Sequence, residues 1–179
     1  MRKAFSLIEL LVTIAVALLI IGGAVYFFSK ALTNNIGTLS FSRGSVSVFQ
    51  AVKVIDSDLL KAGYGINDTS VYPPVSWDNV NRILIIRYVD YEKPGCENAT
   101  FSSSSTCSYV VQYKLIDGNL ERKVNGSLFI PMFDSGVVEV SDFNVSFNST
   151  SHVVNYKLEG TLNGKYFSIG DIVICRNWR

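Results

Sequence analysis

Glu9 stands alone in the apolar stretch that follows Met1-Arg2-Lys3-Ala4-Phe5-Ser6-Leu7-Ile8. Between residues 5 and 28 it is the only Asp, Glu, Lys or Arg. A carboxylate removed from water needs a cation or hydrogen-bond donors, or it must take up a proton. Its chemistry is that of a charge seeking a partner. Other residue types with chemical potential are few. Cys96, Cys107 and Cys175 are the three cysteines, His152 is the one histidine, and Asp56/Asp58 and Asp90/Glu92 are acidic pairs two residues apart. Three unclustered cysteines and one histidine are a poor zinc set. His152 lies in the polar turn after Ser149-Thr150-Ser151 and reads as a solvated turn residue. Carboxylates two apart on a helix, or on one face of a strand, read as ordinary solvated positions rather than a glycosidase pair. No Ser/His/Asp arrangement, phosphate-cradling glycine loop or histidine cluster is present, so the sequence gives no sign of an enzyme, a metal or a cofactor.

The element that must hold Glu9 is the apolar run itself. As a helix, residues 5–28 reach roughly 36 Å, enough for a bilayer core of about 30 Å. Arg2 and Lys3 precede the run, which keeps the N-terminus cytoplasmic and sends the rest of the chain outward. A cleaved secretory signal has a shorter apolar core, with its small-residue cleavage site after that core. Here the run is longer and the small residue Ala4 comes before it. An ionisable residue in a spanning segment is by default a functional feature.

Lys3-Ala4-Phe5-Ser6-Leu7-Ile8-Glu9-Leu10-Leu11-Val12 resembles the signature of the type IV prepilin family. The resemblance implies a leader of residues 1–4, cut between Ala4 and Phe5 by a membrane prepilin peptidase that also N-methylates the new terminus at Phe5. It implies that residues 5–28 leave the inner membrane to form a filament core, and that Glu9 is the family's assembly glutamate. Ala4 departs from the glycine usual at that place. A second stretch, Asp56-Ser57-Asp58-Leu59-Leu60-Lys61-Ala62-Gly63-Tyr64-Gly65, resembles the Asp-Leu-(basic)-x-Ala-Gly-Tyr-x-Gly element of W-type minor pilins. It also reads plainly as a helix end whose glycines are capping devices.

Composition bounds the remainder. A chain of 179 residues has room for the helix and one external domain. Loss of Arg2 and Lys3 leaves 14 basic side chains against 15 acidic ones, without the basic patch of a general nucleic-acid binder. Scattered Lys and Arg leave weak DNA contact open. For an exported chain, three cysteines imply one disulfide and one leftover thiol. Cys96 and Cys107 bracket a polar loop between strand-like runs and are the expected pair, worth about 2–3 kcal/mol in the chain-entropy model. Cys175 lies in an apolar run and is expected as a buried thiol. Five Asn-x-Ser/Thr sequons, at Asn67, Asn98, Asn125, Asn144 and Asn148, matter only in a host that glycosylates exported proteins.

Past residue 28 the helix is expected to continue as an amphipathic segment over residues 29–65. Val48, Val52, Ile55 and Leu59 form its apolar stripe, and Gly37 and Gly44 are expected to loosen it. Residues 66–179 read as strands and turns. Ile83-Leu84-Ile85-Ile86 is apolar enough for a central strand. Tyr109, Val111, Tyr113 and Leu115, then Phe143, Val145 and Phe147, then Val154, Tyr156 and Leu158, alternate with polar residues at the strand period. Asp117-Gly118 and Asn163-Gly164 are hairpin signals. With no helical periods between strands, the class is α+β, a long helix on an antiparallel sheet.

With the resemblance, this predicts a minor pilin of a type IV pilus, seated first in the inner membrane and then in a filament. Its implied partners are the prepilin peptidase/N-methyltransferase, other minor and major pilins, and the inner-membrane assembly platform. A J-type pseudopilin of type II secretion shares the same plan. A pilus-borne adhesin or DNA-binding subunit is the reading from a different class.

Overall fold

The computed structural model describes residues 7–103, 105–134 and 136–178, and all structural statements concern these. The chain is α+β, with one long N-terminal apolar helix and antiparallel sheets. Helix α1 is Leu7–Lys61. The strands are β1 Val75–Asp78, β2 Ile83–Val89, β3 Ser108–Ile116, β4 Asn119–Val124, β5 Ile130–Pro131, β6 Val138–Asn148, β7 Val153–Leu162 and β8 Lys165–Ile174. Two compact units result, Met1–Ser40 and Phe41–Arg179.

In the first unit, the described residues are helical throughout and almost all are exposed, with Leu19 77% and Phe27 74% accessible. The helix is long and apolar enough to cross a membrane. Its threonine hydroxyls are satisfied by the helix itself: Thr13 donates to the Leu10 carbonyl at 2.8 Å and Thr33 to the Ser29 carbonyl at 3.0 Å. Back-bonding of this kind removes the cost of an unpaired hydroxyl in an apolar setting.

The second unit holds two antiparallel meanders, β1-β2-β3-β4-β5 and β6-β7-β8, where the sequence suggested a single sheet. The first ladder stops because β5 has two residues and ends on Pro131, which has no N–H to continue pairing. Asp117 and Gly118 (φ 46° and 77°) turn β3 into β4, and Asn163 and Gly164 (φ 49° and 75°) turn β7 into β8. Both pairs have the double positive φ of a tight hairpin. Val48, Val52, Ile55 and Leu59 of α1 are buried in one cluster with Leu84, Ile86, Val111, Tyr113, Phe143 and Leu158 from the strands.

Gly44 corrects the expectation of a loosened helix. The helix runs unbroken through Gly37 and Gly44, and a Cβ at Gly44 would strike Leu162 Cδ1 and lie 2.7 Å from Val137 Cγ1. The glycine lets a strand end approach the helix backbone. Helix α1 ends before Gly63, which is left-handed (φ 90°) and has no space for a Cβ against the Asn177 carbonyl. The Gly63 N–H donates to the Arg87 carbonyl at 3.0 Å and the Val89 N–H to the Tyr64 carbonyl at 2.8 Å. The turn is thereby stitched along β2. A smaller cluster of Ile66, Val89, Cys96, Phe101 and Cys107 packs beside it, with Cys96 and Cys107 joined as a disulfide.

Candidate functional site

Glu9 sits in the first turn of α1, where the helix dipole favours a negative charge. Leu7, Ile8 and Leu10 beside it are 77%, 71% and 55% accessible, so the carboxylate is set in an exposed apolar surface. Among the described residues Glu9 has no ion pair and no side-chain hydrogen bond to another residue. Ala4 and Phe5, the cleavage and methylation residues implied by the resemblance, lie outside the described residues.

A second carboxylate, on the other half of the same helix, has the opposite surroundings. Asp58 is buried, where the sequence suggested an ordinary solvated position. It faces inward because it follows Ile55 by three residues and so lies on the buried stripe. The Tyr113 hydroxyl donates to its Oδ2 at 2.5 Å and the Tyr88 hydroxyl to its Oδ1 at 3.3 Å. Arg122 reaches Oδ2 through Nη2 at 2.9 Å and through Nε at 3.0 Å. One carboxylate therefore ties α1 to β2, β3 and β4. Burial first, and then the Asp58 charge, hold the Tyr113 and Tyr88 hydroxyls well above the ordinary tyrosine range. Burial pulls the Arg122 guanidinium down, but the Asp58 carboxylate and the Tyr113 hydroxyl together outweigh it and the net displacement is upward. The tyrosines stay protonated and the arginine stays charged across neutral pH. The cluster is a tie and not an acid–base device.

No family model, curated protein or solved structure matches this chain. Its functional reading therefore rests on its own residues. Burial pushes the Cys175 thiol up to about 11, which leaves it neutral at physiological pH and a poor nucleophile or ligand. His152 is a left-handed turn residue (φ 55°) whose ring stacks on Trp178 at 5.7 Å. Among the described residues no group of three or more His, Cys, Asp or Glu could hold a metal. Among the described residues Asp90 and Glu92 join no larger acidic group: the Asp90 carboxylate accepts from the Glu92 N–H, and Glu92 pairs with Lys61 at 3.8 Å.

Asp56, the other half of the helix pair, accepts a hydrogen bond from Tyr156 Oη at 2.6 Å. Burial raises its carboxyl pKa, the Tyr156 hydrogen bond opposes that, and the charge of Asp171 adds to it. Sequence reasoning missed Asp58 as a structural centre. The signal was available in its spacing: Ile55, Asp58, Leu59 and Ala62 share one helical face, so a polar residue there needs partners.

Proposed function

We propose that this chain is a minor pilin of a type IV pilus, built as a membrane-seated prepilin and drawn into a filament through the first half of α1. The observation that carries the reading is Glu9. It is a single carboxylate in the first turn of a helix that is otherwise apolar over a membrane's thickness, preceded in sequence by Ala4-Phe5. The external unit supports it, because a stripe of α1 is anchored on antiparallel sheets and the helix carries a folded body. After cleavage before Phe5, the new terminus is an ammonium four residues from Glu9. In a bundle of apolar helices a lone carboxylate and a lone ammonium are each costly. Glu9 of an incoming subunit meeting the Phe5 amine of its neighbour removes both costs at one axial step, and any other step strands both charges. The pair thus specifies register more than it adds stability.

Glu9→Ala tests this. The variant is expected to insert and to be processed, and to fall about tenfold or more in sheared filaments relative to membranes, a discrimination of about 1.4 kcal/mol. Incorporation equal to the parent chain would remove the assembly role from Glu9.

A further inference from the structure

We infer that the free edge of β8 pairs with β8 of a second copy of this chain, antiparallel and centred on Ser168. The sheet edges of this molecule are treated unequally. β1 has four residues and follows Pro73-Pro74, and the edge of β2 beyond it is occupied by the Gly63–Tyr64 segment. β5 has two residues and ends in Pro131. β6 is bulged between Val140 and Asp142, and the Val140 N–H donates to the Gly118 carbonyl in the β3–β4 turn. Short strands, prolines, bulges and covered backbone protect an edge from further pairing. β8 has ten residues, no proline and an unbroken register with β7 from Lys165 to Ile174. Its edge carries two charges instead, Lys165 and Asp171, which hold off any strand that leaves them unmatched.

The pairing parity shows which backbone groups are left over. The Cys175 N–H donates to the His152 carbonyl, so odd-numbered residues of β8 bond to β7 and the even-numbered ones turn their N–H and C=O outward. The Ile172 N–H is taken by the Asp171 carboxylate. Tyr166, Ser168 and Gly170 keep outward groups with no backbone partner among the described residues.

The strand carries its own complement. With Ser168 opposite itself, the outward groups of Tyr166 meet those of Gly170, Lys165 falls opposite Asp171, and Phe167 falls opposite Ile169. The odd-numbered pairs are the ones not hydrogen-bonded across the new seam, where side chains stand closest. Each is made twice about the two-fold axis. A slip of two residues sets Lys165 against Ile169 or Val173, and Asp171 against Asn163 or Phe167, so the charges admit one register. Neither charge has an ion pair among the described residues. Lys165 lies over the Phe41 ring, and the Asp171 carboxylate faces the charge of Asp56.

A second, independent feature lies beside that edge. An open apolar groove of about 330 Å3 runs between α1 and β8, walled by Phe41, Val48, Phe49, Leu162, Phe167 and Ile169. Phe41 and Phe49 are 41% and 60% exposed in the single chain. Phe167 and Ile169 of the second copy stand on the helix-facing side, next to Ile169 and Phe167 of the first, and close the groove from the edge. On the other face Tyr166 stands opposite Gly170, which has no side chain to crowd it. The result is a six-stranded sheet of order β6-β7-β8-β8-β7-β6. The pair runs the two copies of residues 41–61 in opposite directions, so it is a state apart from a filament of like-directed helices, and neither reading rests on the other.

The test uses the full chain in detergent micelles, with sedimentation equilibrium reading its association. The parent chain is expected to be a dimer. Lys165→Asp and Asp171→Lys each set like charges opposite one another at both ends of the pair, and each is expected to weaken dimerisation about tenfold. Mixed in equal amounts, the two variants regain both ion pairs in a heterodimer and are expected to associate as tightly as the parent. Ser168→Cys, opposite itself at about 5.5 Å between Cα atoms, is expected to give a disulfide-linked dimer on mild oxidation. Ile172→Cys, opposite Gly164 in this register, is expected not to. A monomeric parent chain, single variants that dimerise like the parent or fail to pair when mixed, or a disulfide at Ile172→Cys in place of Ser168→Cys would overturn the inference.

Discussion

Residues 7–40 and residues 41–61 belong to one helix, yet they solve burial in opposite ways. The first part is exposed, and as far as Phe28 it is apolar on every side apart from Glu9. The second part buries a stripe of Gly44, Val48, Ala51, Val52, Ile55, Asp58 and Leu59 against its own strands. The same contrast holds for the carboxylates. Glu9 has no side-chain partner among the described residues, while Asp58 has two tyrosines and an arginine. It holds again for the glycines. Gly22, Gly23 and Gly37 have open space where a Cβ would go, and Gly44 has Leu162 and Val137 there. A helix segment completed within its own chain is packed residue by residue. A segment with no such packing among the described residues keeps only its composition and the lone Glu9 carboxylate.

The largest expected effect comes from removing the internal partner. Asp58→Ala leaves the Arg122 charge and the Tyr113 hydroxyl without their acceptor and is expected to destabilise the external unit by about 3–5 kcal/mol. Denaturant unfolding followed by near-ultraviolet circular dichroism checks this, and membrane insertion is expected to be unchanged. A loss confined to a few tenths of a kcal/mol would mean that the tie does not hold α1 to the sheet.

The glycines sharpen the contrast next. Gly44→Ala is expected to cost about 1–3 kcal/mol through overpacking against Leu162. Gly37→Ala, with the same gain in helix propensity and nothing to strike, is expected to stabilise by up to about 1 kcal/mol. Thermal melts of the two variants should move in opposite directions.

The smallest effect concerns pH. Burial, with Asp171 adding to it, raises the Asp56 carboxyl despite the hydrogen bond from Tyr156. A carboxyl raised in the folded state keeps its proton to higher pH than in the unfolded chain. Its contribution to stability therefore grows as pH falls through the carboxylate range and is absent at neutral pH. Asp56→Asn keeps an acceptor for Tyr156 and removes the charge. It is expected to flatten that dependence and to raise the neutral-pH melting temperature by less than Gly44→Ala lowers it.

Local pattern carried most of the fold. The stripe Val48, Val52, Ile55 and Leu59, the alternation in β3, β6 and β7, and the Asp117-Gly118 and Asn163-Gly164 turns are all governed by near neighbours in sequence. What was hidden depends on distant residues meeting. Gly44 read as a helix weakener because Leu162, its contact, is far away in the chain. Asp58 read as solvated because Arg122 and Tyr113 become its neighbours only when β3 and β4 pair. The division into two sheets turned on where β5 stops, which a two-residue strand scarcely marks. For Glu9 the sequence carried nearly all there is: its apolar surroundings are plain in the chain, and no side-chain partner for it lies among the described residues.

The most direct measurement is the mass of the N-terminal peptide, taken separately from membranes and from sheared surface filaments. A chain beginning at a methylated Phe5 is expected in both fractions. An intact Met1 in both would contradict it and leave Glu9 as a stray carboxylate in a plain membrane anchor.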